Sequence, residues 1–224
     1  WVITDVGGVC VDAQDHVFSV NRGTLGALEK KTATAAPPVT EFDAEGNLVN
    51  SWGDRNLLPK RLHGCFVDYE GNVWMGGNED GIVQKYSHDG SKMLLQIGTK
   101  GKFDTSDGSI GGFSGGTITG PSMNSSHTLL NLPASIAVDP ANGDVYIADG
   151  YGNRRVVVFD RQGRFLRQWG RQGTLAEVEA GLGGVFFEVV HCVVIGKDGL
   201  VYVCDREGHR IEVFDKLGNF KRNI

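Results

Sequence analysis

One pattern is written four times along this chain, and it limits the fold more than any other feature. Its first element reads apolar-x-apolar-Asp, at Val9 to Asp12, Cys65 to Asp68 and Ile136 to Asp139, with Val193 to Gly196 as a degenerate copy. An alternating segment follows at Val17 to Val20, Val73 to Met75, Val145 to Ile147 and Val201 to Val203. Next comes an aromatic residue before a turn, at Phe42 to Gly46, Tyr86 to Gly90, Phe159 to Gly163 and Phe214 to Gly218. The last element ends at Trp52-Gly53, Ile97-Gly98, Trp169-Gly170 and Ile224. The reference position moves from 12 to 68 to 139 to 196, in steps of 56, 71 and 57 residues.

Each unit holds four short segments with the period-2 alternation of half-buried strands, separated by Asp, Asn and Gly turns. Glycine numbers 33 in 224 residues, about twice the usual ~7%, without a Gly-X-Y period. Such a chain is a turn-dense β protein. Four-stranded units at this spacing bury their two apolar faces only against neighbouring units, which is the β-propeller solution. The expectation is an all-β, single β-propeller domain over residues 1–224, with blades at about 5–53, 60–98, 130–170 and 186–224. The longer step holds a Gly/Ser/Thr-rich insertion, roughly Thr99 to Ser126, expected as a mobile surface loop. A helical turn is expected only around Leu175 to Ala180. Blades of this type usually come in sixes, so two more are expected beyond these four, and an isolated arc would expose two apolar faces.

No apolar run reaches the ~18 residues of a membrane span. The net charge of −5 argues against a general phosphate-binding surface, and so against nucleic acid. Cys10, Cys65, Cys192 and Cys204 form no C-x-x-C pair and sit in apolar contexts, so they read as small buried hydrophobes. The sequence starts Trp-Val-Ile without Met or a signal peptide, which reads as a processed or incomplete chain.

Aligning the units brings out individual residues. Five positions before the reference site stand Gly7, His63, Ala134 and His191. This is the start of the innermost strand, where a side chain can face the central channel. Two neutral imidazoles converging on an axis are good zinc ligands, and strand-end hydrogen bonding is the plainer alternative. The turns after the second strands read Asn21-Arg22-Gly23, Gly77-Asn78-Glu79, Asp149-Gly150-Tyr151 and Asp205-Arg206-Glu207. Arg22 and Tyr151 are the reactive candidates, because a phenol beside a metal and a cation can serve as a base; the plainer alternative is an arginine paired with a blade-edge carboxylate and a packed tyrosine with a wet hydroxyl. His16, His88, His127 and His209 fall in turns or loops, where solvation is expected. The run Arg154, Arg155, Arg161, Arg164, Arg167, Arg171 reads as a solvated blade edge, and Asn124-Ser125-Ser126 is a glycosylation sequon.

The recurring D-x-x-G-x-V-Y-[IV]-x-D-x-x-x-x-R-[IV]-x-x-F-D resembles NHL repeats, and more narrowly the six-bladed peptidyl-α-hydroxyglycine α-amidating lyases. The likeness rests on Val9 to Asp12 with Arg22-Gly23, His63-Gly64 with Asp68, Asp149-Gly150-Tyr151, and His191 with Asp205-Arg206-Glu207. It implies cleavage of a peptidyl-α-hydroxyglycine to a peptide amide and glyoxylate, by a carbon–nitrogen lyase with zinc and a structural calcium. His63 and His191 would be two of three zinc ligands, Tyr151 the base and Arg22 the active-site arginine. Backbone carbonyls of Val9 and Cys65 would bind the calcium. The third zinc histidine and an adjacent calcium-binding Asp would lie in a later blade. The chain departs from the animal enzymes at Asn21 and Thr24, where they carry His and Asp, and at Leu132 and Gly152, where one of their cystines stands.

Two readings follow. One is a zinc propeller acting on a small peptide-like hydroxylated substrate. The other is a non-catalytic NHL scaffold that binds a protein or glycan partner at the channel mouth. A sugar-lactone hydrolase would want carboxylate metal ligands where the repeat offers histidines. The family resemblance implies an extracellular or periplasmic location.

Overall fold

The computed structural model describes residues 1–110 and 124–224, with the backbone of two short strands, Phe113–Ser114 and Thr117–Ile118, between them. Four antiparallel four-stranded sheets carry the fold, each with its strands in simple sequence order. The first sheet comprises Val6–Val11, Val17–Asn21, Val39–Phe42 and Leu48–Trp52. The second comprises Leu62–Val67, Val73–Gly77, Ile82–Tyr86 and Met93–Gly98. Ser135–Val138, Val145–Asp149, Arg155–Phe159 and Phe165–Trp169 form the third. The fourth is Val190–Ile195, Val201–Asp205, Arg210–Phe214 and Phe220–Asn223. These are propeller blades, and each innermost strand packs beside the innermost strand of the next blade. The one α-helix among the described residues is Leu175–Glu179, begun by a Thr174/Glu177 capping box.

Every seam between blades is filled by the aromatic and β-branched positions of the repeat. Phe18, Val20, Val73, Met75 and Tyr86 fill the first seam, and Trp74, Ile136, Ile147 and Phe159 the second. Tyr146, Val158, Val203 and Phe214 fill the third. Tyr202 and Phe42, at the two ends of the arc, are only half-buried. Val9 and Val11 on the first blade and Val194 on the fourth are exposed.

Three expectations need correction. The cysteines are not buried thiols: Cys10 is bonded to Cys65 and Cys192 to Cys204. Both pairs lie on half-buried innermost strands, one across the first seam and the other between neighbouring strands of one blade. Arg154 and Arg155 are not at a solvated edge. Arg155 is wholly buried, donating to Asp149 Oδ2 at 2.9 Å, Gln168 Oε1 at 2.6 Å and the carbonyls of Ser126 and Leu129. Arg154 caps the carbonyls of Gly150, Tyr151 and Asn153.

The sequon asparagine is also engaged, since Asn124 Nδ2 donates to the carbonyls of Arg154 and Gly170. Finally, the described ends of the insertion are anchored. Asp104 is buried and accepts from Ser125, Ser126 and Asn153. The middle of the expected loop lies outside the described residues.

Candidate active site

The innermost strands begin irregularly, and this irregularity aims the side chains. Strand pairing shifts register between Val6 and Gly8, between His63 and Cys65, and between Val190 and Cys192. A bulge at this point turns a side chain that would otherwise follow the pleat. Gly64 completes the bulge after His63, with φ +73° and Ala134 O only 2.5 Å from where a Cβ would sit. Glycine alone accepts that combination without strain.

The four repeat-equivalent positions then divide the work. His63 and His191 converge, with ring centroids 5.1 Å apart at 86°. Ala134, in the blade between them, has no bulk to fill the gap and offers its carbonyl to His63 Nδ1 at 2.8 Å. Nδ1 therefore carries the proton, and the Nε2 lone pair faces the centre of the cluster. Gly7 leaves room for Leu62 O, which lies 1.9 Å from where its Cβ would be. That same carbonyl accepts Arg22 Nε at 3.1 Å.

Tyr151 descends between the histidines from the turn of the third blade. It is 5% exposed, and its hydroxyl lies 3.2 Å from His63 Nε2. Its ring centroid is 5.3 Å from that of His63 and 5.8 Å from that of His191. Arg206 donates from Nη1 to Tyr151 Oη at 3.2 Å, and its guanidinium lies 5.3 Å from the ring centroid. Glu207 pairs with Arg206 and accepts from Val189 N, so the arginine is held from behind.

Electrostatics keep both imidazoles neutral. Burial brings His63 down to about 4, with the neighbouring His191, Arg22 and Arg61 acting the same way. His191 is lowered by burial and by Arg206. Neutral imidazole is the form that ligates a metal.

The structure thus gathers His63, His191 and Tyr151 at one end of the channel side. Arg22 does not reach Tyr151; it borders the same end through Leu62 O, with Asp5 at 3.9 Å. A cleft of about 280 Å³ beside it is lined by Arg22, Arg55, Lys60 and Arg61 against a single carboxylate, Glu79. Val9 and Cys65 lie on adjoining innermost strands joined by the Cys10–Cys65 bond.

Arg206 is the contributor that sequence reasoning gave no role. The signal existed, because Arg206 and Arg22 occupy equivalent places in their blades. Only packing shows which of the two reaches the phenol.

The NHL repeat family matches residues 130–159 and 187–214. Peptidyl-glycine α-amidating monooxygenase B of Xenopus laevis is 28% identical over 214 residues, covering 94% of this chain and 21% of that protein. Peptidyl-α-hydroxyglycine α-amidating lyase 1 of Drosophila melanogaster is 28% identical over 193 residues, covering 84% of this chain and 30% of its own length. This chain therefore spans a third or less of either relative. Among solved structures, virginiamycin B lyase of Staphylococcus aureus superposes with a TM-score of 0.57 at 10% identity, over 97% of this chain and 54% of that one. That likeness concerns the fold alone. Repeats, blades and relatives agree: this chain is a β-propeller that carries NHL repeats at residues 130–159 and 187–214 and resembles the peptidyl-α-hydroxyglycine α-amidating lyases.

Proposed function

We propose that this propeller cleaves a peptidyl-α-hydroxyglycine to a peptide amide and glyoxylate. The observation that carries this reading is Tyr151 Oη, 3.2 Å from both His63 Nε2 and Arg206 Nη1 and beside His191. A buried phenol with a guanidinium on its oxygen and two neutral imidazoles around it is suited to moving one proton in a water-poor site.

The donor set fits zinc. His63 has Nδ1 fixed and Nε2 free of a proton, and His191 has no hydrogen-bond partner among the described residues. Two imidazoles are fewer than the three protein ligands usual in a catalytic site, so a third would come from outside these residues. When bound, zinc would polarise a substrate oxygen and hold it in place. If Nε2 were ligating, the Tyr151 hydroxyl would be released from that acceptor and would face the substrate. Arg206 meets the negative charge on the phenol oxygen. Once its own proton has left to solvent, Tyr151 as phenolate takes the substrate hydroxyl proton while the carbonyl of glyoxylate forms. The C–N bond breaks with its electron pair on nitrogen, and Tyr151 returns the proton there, so no further reactant is needed. The Arg22 cleft, with its excess of cations, suits the substrate carboxylate. Were calcium bound, the carbonyls of Val9 and Cys65 would supply two of the six to eight or so oxygens it takes, and no step is assigned to it. The two disulfides suit an oxidising compartment, which supports an extracellular or periplasmic setting.

The test is glyoxylate release from a hydroxyglycine-ended peptide by the zinc-supplied full-length protein. Tyr151→Phe should lower kcat by roughly 10²-fold or more, the scale of a lost general base. Release by the variant at the wild-type rate, or none from the wild type, would sink the proposal.

A further inference from the structure

At the opposite end of the first two blades lies a second histidine cluster. Asp12 and Glu41, both buried, share it with His16 and His88. His88 Nε2 is 2.9 Å from Asp12 Oδ2 and 3.9 Å from Glu41 Oε1. His16 Nδ1 bonds the same Glu41 oxygen at 2.7 Å. The second oxygen of Asp12 accepts the backbone amides of Gln14 and His16, which fixes the carboxylate. One ligand atom each from Asp12, Glu41 and His88 can be chosen so that all three lie within 4.8 Å of one another. These histidines stand in turns as expected, but half-buried and bonded to carboxylates rather than solvated alone.

The repeat shows what is unusual here. In the second blade the equivalent aspartate, Asp68, is met by Lys85 at 3.0 Å. Lys85 stands opposite Trp74 in register, as Glu41 stands opposite Phe18. In the third blade Asp139 is met by Lys216 at 2.6 Å. Lys216 comes from the next blade, at the turn position that His88 fills in the first seam. Two seams thus neutralise their buried aspartate with a lysine. The first seam replaces both lysine positions, one by a second carboxylate and the other by an imidazole. Among the described residues, neither Asp12 nor Glu41 has a Lys or Arg within ion-pair distance. Two buried carboxylates without a fixed cation are costly.

We propose that this seam binds a divalent transition-metal ion of the zinc class, through Asp12, Glu41 and His88. A 2+ charge balances the two carboxylates that lysines would otherwise serve. Imidazole with carboxylates is a zinc-type donor set. Neighbouring ligand atoms around tetrahedral zinc lie roughly 3.3 Å apart, between the two spacings His88 already makes. The ion takes the place of the proton shared by His88 and Asp12. His16 holds Glu41 from behind, as outer partners of metal ligands do. His88 is 39% exposed in its side chain, which leaves a way in for the ion. The site is separate from the His63–His191 cluster and does not depend on the lyase reading.

The experiment is a zinc titration of the chelator-stripped full-length protein, with Zn2+ itself as probe, in wild type, His63→Asn and His88→Lys. His88→Lys copies the lysine of the third seam and so keeps the blade contact. One equivalent of zinc should vanish in His88→Lys and persist in His63→Asn. Zinc should also raise the melting temperature of His63→Asn, and Asp12→Asn should weaken binding at this site at least tenfold. Equal zinc stoichiometry in wild type and folded His88→Lys would overturn the proposal, as would failure of His63→Asn to bind any zinc.

Discussion

Acidification should cost the folded state its neutral His63, and the size of the effect follows from the site. Burial holds this imidazole near 4 in the folded chain, against 6.5 when unfolded. Between those values the unfolded chain binds a proton that the folded one refuses, so stability falls as pH drops through this window. A shift of this size is worth about 3 kcal/mol at most, at ~1.4 kcal/mol per pKa unit. Below the folded value the loss is complete; above 6.5 or so it vanishes. Other groups titrate across the same range. His191 acts in the same direction, lowered by burial and Arg206. Glu212, pushed up to about 7 by burial, acts oppositely, because its folded form resists losing a proton.

The assay must therefore compare wild type with His63→Asn, in which those other groups remain. Urea unfolding with a chelator present, at steps from about pH 7.5 to about pH 4, gives the stability difference between the two proteins. The wild-type advantage should shrink by up to about 3 kcal/mol on going down in pH. A constant difference across the range would refute the argument that His63 is held neutral. Repeating the series with Tyr151→Phe checks the phenol, whose hydrogen bond to Nε2 also favours the neutral ring.

Other outcomes follow from single contacts. Gly64→Ala puts a Cβ 2.5 Å from Ala134 O at a φ of +73°, so urea unfolding should show a loss of about 2 kcal/mol or more. Arg155→Met strands Asp149 in the interior, where neither partner has exposed side chain, and should cost about 3–5 kcal/mol in the same assay. The disulfides should differ: Cys10–Cys65 spans 55 residues and Cys192–Cys204 spans 12. Loop-closure entropy then gives about 4 and about 3 kcal/mol, so Cys10→Ser/Cys65→Ser should be the less stable double variant in denaturant titrations.

Much of the fold was legible because a propeller repeats its instructions. The alternation around Phe18, Trp74, Tyr146 and Tyr202 dictates strand faces locally, and recurrence of Asp and Gly turns dictates the order of strands within a blade. His63 and His191 could be picked out for the same reason, since equivalent positions in a repeat meet around one axis. The cysteines and arginines were misread because their roles lie across seams. Cys10 and Cys65 are 55 residues apart in sequence, and nothing in their local contexts distinguishes a bonded pair from two thiols. Arg155 looked like one of six surface arginines until packing enclosed it with Asp149 and Gln168.

By itself, then, the sequence determined the blade and the repeat positions at the channel, while burial in the packed fold makes the imidazoles placed there neutral. Tertiary structure alone decided which arginine meets Tyr151, since Arg22 and Arg206 are equivalent in the repeat and differ only in what stands beside them. It also decided that His16 and His88, in turns of different blades, share two buried carboxylates. Periodicity records which face a side chain takes within its own sheet. The distance and charge of a group on the neighbouring sheet depend on how blades pack, which no local pattern encodes.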